Sequence, residues 1–228
     1  MSEQSHQDVE HIVIDGGSTD ETCALVRRYG ARVTSLLSEP DNGIYDAMNK
    51  GLAMATGHVV GFLNSDDAYA SSNVLAQVAQ AIGHEDNLDA VFGDVVFFDA
   101  ARPDRLVRRY RSNRFRPALL GWGWMPAHPA LFVLHGIFER VGNFRTDFRI
   151  AGDYEWIARA FGKGTLRYQH LPEVLVRMQT GGVSTGGWRN TLLLNCEVMR
   201  ACKVNGISTN WFKILSKYPA KLREFIRP

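Results

Sequence analysis

Short runs of β-branched and aromatic residues, each closing on a polar or acidic residue, alternate along the chain with stretches in which apolar residues recur every three or four positions. His11-Ile12-Val13-Ile14, residues 32–37, and the run Val59-Val60-Gly61-Phe62-Leu63 have the composition of strands, the last apolar enough to be buried on both faces. Pro40 ends the second of them. Between them, residues 20–29 and 44–56 carry helical spacing, with Ile44, Ala47, Met48, Leu52 and Ala55 on one face and Gly57 as the stop. A helix over 71–82 follows, then strands at 90–93 and 94–98 and a short apolar pair at Leu106 and Val107. Strand and helix in this alternation predict an α/β domain, a mostly parallel sheet flanked by helices.

From Phe115 to Pro129 the alternation breaks. Gly121-Trp122-Gly123-Trp124 and the prolines around His128 have the makings of a substrate-binding loop, and equally of a loop that only covers the core. The spacing then predicts a strand over 130–134, a helix over 136–141, a helix ending at Phe161 and a strand over 166–178. Residues 181–187, including Gly181 and Gly182, are too glycine-dense for an element interior and suit backbone contact with a ligand. Helices over 188–204 and 209–227 complete the pattern, which divides into a main domain over 1–187 and a helical extension over 188–228.

Composition narrows the class only a little. With 228 residues, 45% hydrophobic and 22% charged, the chain can bury a full core. A net charge of +2 gives no argument for nucleic acid, and no nucleic-acid partner is expected. Cys23, Cys196 and Cys202 lack metal-site or disulfide spacing, which fits a reducing cytoplasm. No apolar run is long enough to span a bilayer, and residues 1–10 have no signal-peptide character. The segment 203–228 carries Lys203, Lys213, Lys217, Lys221, Arg223 and Arg227 among aromatic and aliphatic residues. It either docks peripherally on the inner face of a membrane or packs its apolar side on the domain.

The chemistry lies where strands end. In open α/β sheets ligands bind outside the carboxyl ends of the strands, so Asn64-Ser65-Asp66-Asp67 faces a cleft. Oxygen donors there suit Mg²⁺ or Mn²⁺ together with substrate phosphates; the simpler role is to cap the helix that follows. Asp15 repeats the arrangement at the end of its strand, followed by Gly16, Gly17 and Ser18 in a tight turn. Asp46 and Asn49 lie three residues apart on one helix, close enough to share a ligand or to form a solvated face. Asp153 opens a helix, where the dipole favours its anion, and Glu155 is near enough in sequence to repel it and restore basicity.

These residues resemble those of family 2 glycosyltransferases of the GT-A fold, nearest to bacterial members that build surface polysaccharides such as colanic acid. The likeness rests on residues 14–20, 43–51, 62–67, 126–129, 151–155 and 181–184, in family order. It implies transfer of a sugar, with inversion, from a nucleotide-sugar (UDP-linked by default) to a hydroxyl of a glycan or lipid-linked saccharide. By resemblance, Asp15, Asp46, Asn49, Asn64 and Ser65 bind the nucleotide-sugar, Asp66 and Asp67 hold Mg²⁺ or Mn²⁺, and Asp153 is the base. Trp124, His128, Gly181 and Gly182 are expected to meet the acceptor. Asn64 stands where the family's first Asp is usual, which removes one charge from the metal site. Family members also open with a strand and helix of which residues 1–8 resemble only the tail, so an N-terminally incomplete sheet is expected. A metal-dependent nucleotidyltransferase is the rival enzyme, although no lysine adjoins Asp15-Gly16-Gly17. A non-catalytic nucleotide-sugar-binding protein is the rival from another class.

Overall fold

The structure, a computed structural model, describes residues 1–84, 87–99, 101–181 and 187–219. In chain order its elements are β1 (His11–Asp15), α1 (Thr22–Tyr29), β2 (Val33–Ser38), α2 (Ile44–Met54), β3 (Val59–Gly61), β4 (Ala68–Tyr69) and α3 (Val74–His84). There follow β5 (Ala90–Asp99), β6 (Arg102–Tyr110), β7 (Leu131–Leu134), α4 (His135–Val141), α5 (Gly152–Phe161), β8 (Tyr168–Gln179), α6 (Trp188–Val204) and α7 (Trp211–Leu215). Each predicted strand and helix up to residue 204 has its counterpart, apart from boundary shifts and the merging of 90–93 and 94–98 into one long β5. The second C-terminal helix is the short α7; residues 220–228, where the prediction continued it, lie outside the described residues.

The sheet is mixed rather than mostly parallel. β1 and β2 pair in parallel as a two-stranded sheet, while the larger sheet runs β3-β7-β5-β8-β4 with β6 on β5. Within it only β5 and β8 are parallel; β3–β7, β5–β7, β5–β6 and β4–β8 are antiparallel. Chain length explains part of this: β5 ends at Asp99 and β6 begins at Arg102, and so short a turn joins only antiparallel strands. β5 is the axis of the sheet, its residues from Ala90 to Val96 all buried. The residues preceding β1 tie the two sheets together. Arg32, just ahead of β2, donates to the carbonyls of Gln4 (2.6 Å) and His6 (2.5 Å). Gln4 in turn donates to the Ser71 carbonyl (2.6 Å) and accepts from the Leu75 amide (3.0 Å) at the start of α3.

The main core lies between the larger sheet and helices α2, α4, α5 and α6. It is largely aromatic. Phe138 stacks on Trp156 with centroids 4.4 Å apart, Phe144 meets Trp156, Phe62 and Tyr45, and Phe92, Phe115, Phe161 and Tyr168 form a second group. Each such pair adds about 1 kcal/mol beyond area burial. The α2 face that turns inward is set by Tyr45 and Leu52, not by Ile44, which is 48% exposed. Tyr45, Met48 and Leu52 recur at helical spacing on the inward face, and the Tyr45 ring meets Phe144 there.

Asn49 fastens α2 to the loop after α4. Its amide donates to the Phe144 carbonyl and accepts from the Phe144 amide, both at 2.9 Å. Asn49→Ala leaves both backbone groups without these partners, and an unmet pair of this kind costs about 2 kcal/mol. The expected result is a lower denaturant midpoint with an unchanged slope in equilibrium unfolding.

Candidate active site

The sequence's candidate residues lie at the ends of β1 and β3, in the first turn of α2, in the loop before β7, and at the start of α5; the contacts described below join the β1 loop to the residues before α2, and α2 to α5. Asp15, the last residue of β1, is buried and accepts from the Ser18 hydroxyl (2.5 Å), the Ser38 hydroxyl (2.6 Å) and the Ser18 amide (2.9 Å). Those donors hold its carboxyl well below the usual carboxylate range. The turn they fix needs glycine at residue 17, which has φ +87° and packs against the Glu39–Pro40 backbone, while Gly16 lies against the Asp41 carboxylate. Thus the Asp15 loop lies against residues 38–41, which lead into α2.

At the first turn of α2, Asp46 accepts from the Asn42 amide (2.9 Å), and Lys50 pairs with Glu39 (2.8 Å). A polar cavity of about 310 Å³ opens there, lined by Asn42, Gly43, Ile44, Tyr45 and Asp46 on one side and residues 146–149 on the other. The Tyr45 hydroxyl lies 2.6 Å from the Ile150 carbonyl oxygen and 3.2 Å from an Asp153 carboxylate oxygen. Burial, then the charge of Asp153, pushes the Tyr45 hydroxyl far above its ordinary range, so it stays a donor. A Cβ on Gly152 would come within 2.6–2.8 Å of the Tyr45 ring, so the approach exists because residue 152 has no side chain. Asp153 also accepts from the Tyr154 amide (2.8 Å) in the first turn of α5.

Glu155, expected from its place in the sequence to face Asp153, is paired with a residue of its own helix. Its carboxylate is buried and neutralised by Arg159, at 3.0 and 3.1 Å, one helical turn on. His128 is buried and stacked on Phe62 (centroids 5.6 Å apart) with Phe144 edge-on. Burial lowers the His128 pKa, and the Asp153 charge opposes that. The loop carrying it is fixed from beneath: Asp94 on β5 accepts from the Ser112 amide (2.9 Å), and the Ser112 hydroxyl accepts from the Ala127 amide (3.2 Å). Asp94 is itself buried with Arg109 (2.7 Å) and His170 (2.8 Å). Trp124 is half-buried and stacks on Tyr110 at 6.4 Å.

Beyond β3 the chain turns through Asn64-Ser65-Asp66-Asp67 and enters β4 at once. Neither aspartate caps α3, which starts only at Val74. Ser65 and Asp66 are exposed; Asn64 donates to Asp67 at 3.0 Å. Burial, with the neighbouring Asp66 charge adding to it, pushes the Asp67 pKa up to about 6. Among the described residues no group of three or more His, Cys, Asp or Glu forms a metal cage. Two adjacent carboxylates at an open strand end nevertheless fit Mg²⁺ or Mn²⁺, which complete their octahedra with water and phosphate oxygens. Gly181, just beyond β8, has φ +104°, and Gly182 lies outside the described residues. The sequence thus marked the strand-end acids and Asp153, but gave no weight to Tyr45, Phe62 or Phe144. Tyr45 sits four residues before Asn49 within a stretch singled out for its acids and amides, and that spacing was the available signal.

Residues 1–142 match the model of glycosyl transferase family 2, and the chain belongs to that family. A PGL/p-HBAD biosynthesis glycosyltransferase of Mycobacterium bovis is 31% identical over 187 residues, covering 75% of this chain and 66% of that protein. An uncharacterized glycosyltransferase of Mycobacterium tuberculosis is 36% identical over 157 residues, 67% of this chain and 57% of that one. The chain therefore spans about two thirds or less of these relatives. Among solved structures, S. aureus TarS 1-349 in complex with UDP-GlcNAc superposes with a TM-score of 0.66 at 18% identity, over 98% of this chain and 67% of that chain. A mannosyltransferase from Pyrobaculum calidifontis in complex with GDP-Man and Mn²⁺ gives 0.62 at 22%, over 87% and 58%. These likenesses establish the GT-A fold.

The raised pKa of Asp67 has a measurable sign in the metal-free protein. Between about pH 4 and pH 6 the folded state holds a proton that the unfolded state has lost, so stability falls as pH rises through that window. Asp67→Asn removes this dependence. Thermal unfolding in the presence of a chelator is expected to show the variant gaining on the wild type from pH 4 to pH 6.5, and parallel curves would contradict it.

Proposed function

We propose that this chain is the catalytic part of an inverting glycosyltransferase that moves a sugar from a nucleotide-sugar, UDP-linked by default, to a hydroxyl of a glycan or lipid-linked saccharide in polysaccharide biosynthesis. The observation that carries the reading is Asp153 at the start of α5, 3.2 Å from the hydroxyl of Tyr45, which lines the polar cavity. Family membership and neighbours described with UDP-GlcNAc or GDP-Man support it. Asp153 is the general base: it takes the proton of the acceptor hydroxyl as that oxygen attacks the anomeric carbon from the face opposite the leaving nucleotide. Tyr45 bonds the Ile150 carbonyl at 2.6 Å, which fixes the backbone just ahead of Asp153, and its hydroxyl lies 3.2 Å from the carboxylate. Asp66 and Asp67, with Asn64 and Ser65 beside them, would hold a divalent cation and the donor diphosphate. That cation, when bound, neutralises charge on the departing nucleoside diphosphate. Asp15, Asp46 and Asn49 shape the nucleotide pocket, while Trp124, His128, Gly181 and Gly182 meet the acceptor.

Nucleoside diphosphate release from UDP-GlcNAc, UDP-glucose and GDP-mannose, measured with Mn²⁺, tests the reading. Asp153→Asn should cut turnover by about 10²–10⁴-fold with nucleotide affinity unchanged, and Asp66→Ala should abolish the Mn²⁺-dependent part of UDP binding in calorimetry. Undiminished turnover in Asp153→Asn would contradict the assignment of the base. Release of pyrophosphate from a nucleoside triphosphate would favour a nucleotidyltransferase.

Peripheral contact with an anionic membrane is the second part of the proposal. Among the described residues no helix is long and apolar enough to cross a bilayer. The C-terminal segment divides its faces: Ile214 and Lys217 are buried against the domain, while Trp211 and Phe212 are 45% and 77% exposed. Lys213 reaches over the Trp122 ring at 5.7 Å, placing a cation among these aromatics as an interfacial surface requires. Trp211→Ser with Phe212→Ser, both at exposed positions, is expected to abolish co-sedimentation with phosphatidylglycerol vesicles at low salt. Equal sedimentation of the two proteins would exclude this face.

A further inference from the structure

α6 reaches back to the loop that delivers Asp153. The Glu197 carboxylate, only 7% exposed, accepts three backbone hydrogen bonds: one oxygen from the Arg149 amide, the other from the Ile150 and Ala151 amides, each at 2.8 Å. One turn further along α6, Arg200 donates to the Asp147 carbonyl (2.9 Å) and to the Asp147 carboxylate, and its guanidinium covers the Phe148 ring at 4.3 Å. The loop from Asp147 to Ala151 is therefore held by one helix at both ends. Such an arrangement is unusual, because helix starts are ordinarily capped by a residue adjacent in sequence, and here Ala151, the residue at the cap position of α5, has no side-chain acceptor.

The held peptides are those that set the candidate base. Ile150 gives its amide to Glu197 and its carbonyl to the Tyr45 hydroxyl, so its peptide unit is fixed from α6 on one side and α2 on the other. Gly152 and Asp153 follow directly. We propose that Glu197 is a positioning residue: by accepting from residues 149–151 it fixes the start of α5, and thereby holds the Asp153 carboxylate at the Tyr45 hydroxyl. The proposal rests on Asp153 being the base of the reaction proposed above. A buried carboxylate accepting three amide hydrogens is matched to that task, since it bonds all of them without a proton of its own.

Glu197→Gln keeps the size and turns one oxygen into an NH₂ group, which faces an amide donor instead of accepting from it. Two readouts follow, one of which needs no donor. In hydrogen–deuterium exchange, the amides of residues 149–151 are expected to exchange at least ten-fold faster in the variant, with the β5 amides unchanged. In turnover, with whichever of the three nucleotide-sugars the wild type uses, kcat is expected to fall at least ten-fold while UDP and Mn²⁺ bind within two-fold of wild type. A double-mutant cycle separates positioning from general stability. If Glu197 acts through Asp153, Glu197→Gln lowers residual turnover no further in the Asp153→Asn background; a merely structural role lowers it in both. Glu197→Asp, which keeps the charge but retracts it by one methylene, serves as the second variant and should give a smaller loss of kcat. Unchanged exchange at 149–151, unchanged kcat, or additive losses in the cycle would each overturn the proposal. Because the exchange measurement requires no donor, a wild type that turns over none of the nucleotide-sugars would count against the proposed function, while the exchange result still decides whether Glu197 holds the loop.

Discussion

The site depends on one close approach: the Tyr45 ring lies against Gly152, with its hydroxyl between the Ile150 carbonyl and the Asp153 carboxylate. This contact joins α2, which follows the Asp15 loop and residues 38–41, to α5, which carries the candidate base. Any side chain at position 152 would separate the two helices or turn the ring. The contact also fixes geometry, since the buried hydroxyl keeps its proton, directs it to the Ile150 carbonyl at 2.6 Å, and lies 3.2 Å from the Asp153 carboxylate.

Around that contact the loops are held by directional bonds from buried and half-buried polar groups. Asp15 gathers the turn after β1, Asn49 bonds both sides of Phe144, Asp94 supports the residues leading to His128, and Glu197 holds those before α5. Ligand-facing loops at strand ends have few apolar neighbours, so directional bonds from rigid elements do the positioning that a hydrophobic core does elsewhere. The aromatic cluster under them, Phe62, Phe138, Phe144 and Trp156, supplies the floor on which His128 stacks.

Local patterns in the sequence were enough to place the strands, the helices and the acids at strand ends, because burial on a pleated surface and helical periodicity are written in nearest-neighbour spacing. Pairing direction was not. β7 returns antiparallel between β3 and β5, an outcome of which strands meet across seventy-odd positions rather than of composition within any one of them. Side-chain partners distant in sequence were hidden for the same reason. Arg159, four positions after Glu155, was a legible partner for that carboxylate, whereas only the fold sets Glu197 beneath residues separated from it by more than forty positions. Ile44 and Tyr45 both fit an apolar face, and the fold turns Tyr45 inward with Met48 and Leu52, against Phe144.

The most direct test of the Tyr45–Asp153 contact is the turnover of Gly152→Ala and Tyr45→Phe at saturating donor, measured beside UDP and Mn²⁺ affinity. The alanine drives a methyl group into the ring, and the phenylalanine removes only the hydroxyl. Both are predicted to lower kcat at least ten-fold with nucleotide affinity within two-fold of wild type, and Gly152→Ala the more. Wild-type kcat in folded Gly152→Ala would show that Asp153 does not depend on this contact, and would contradict the account.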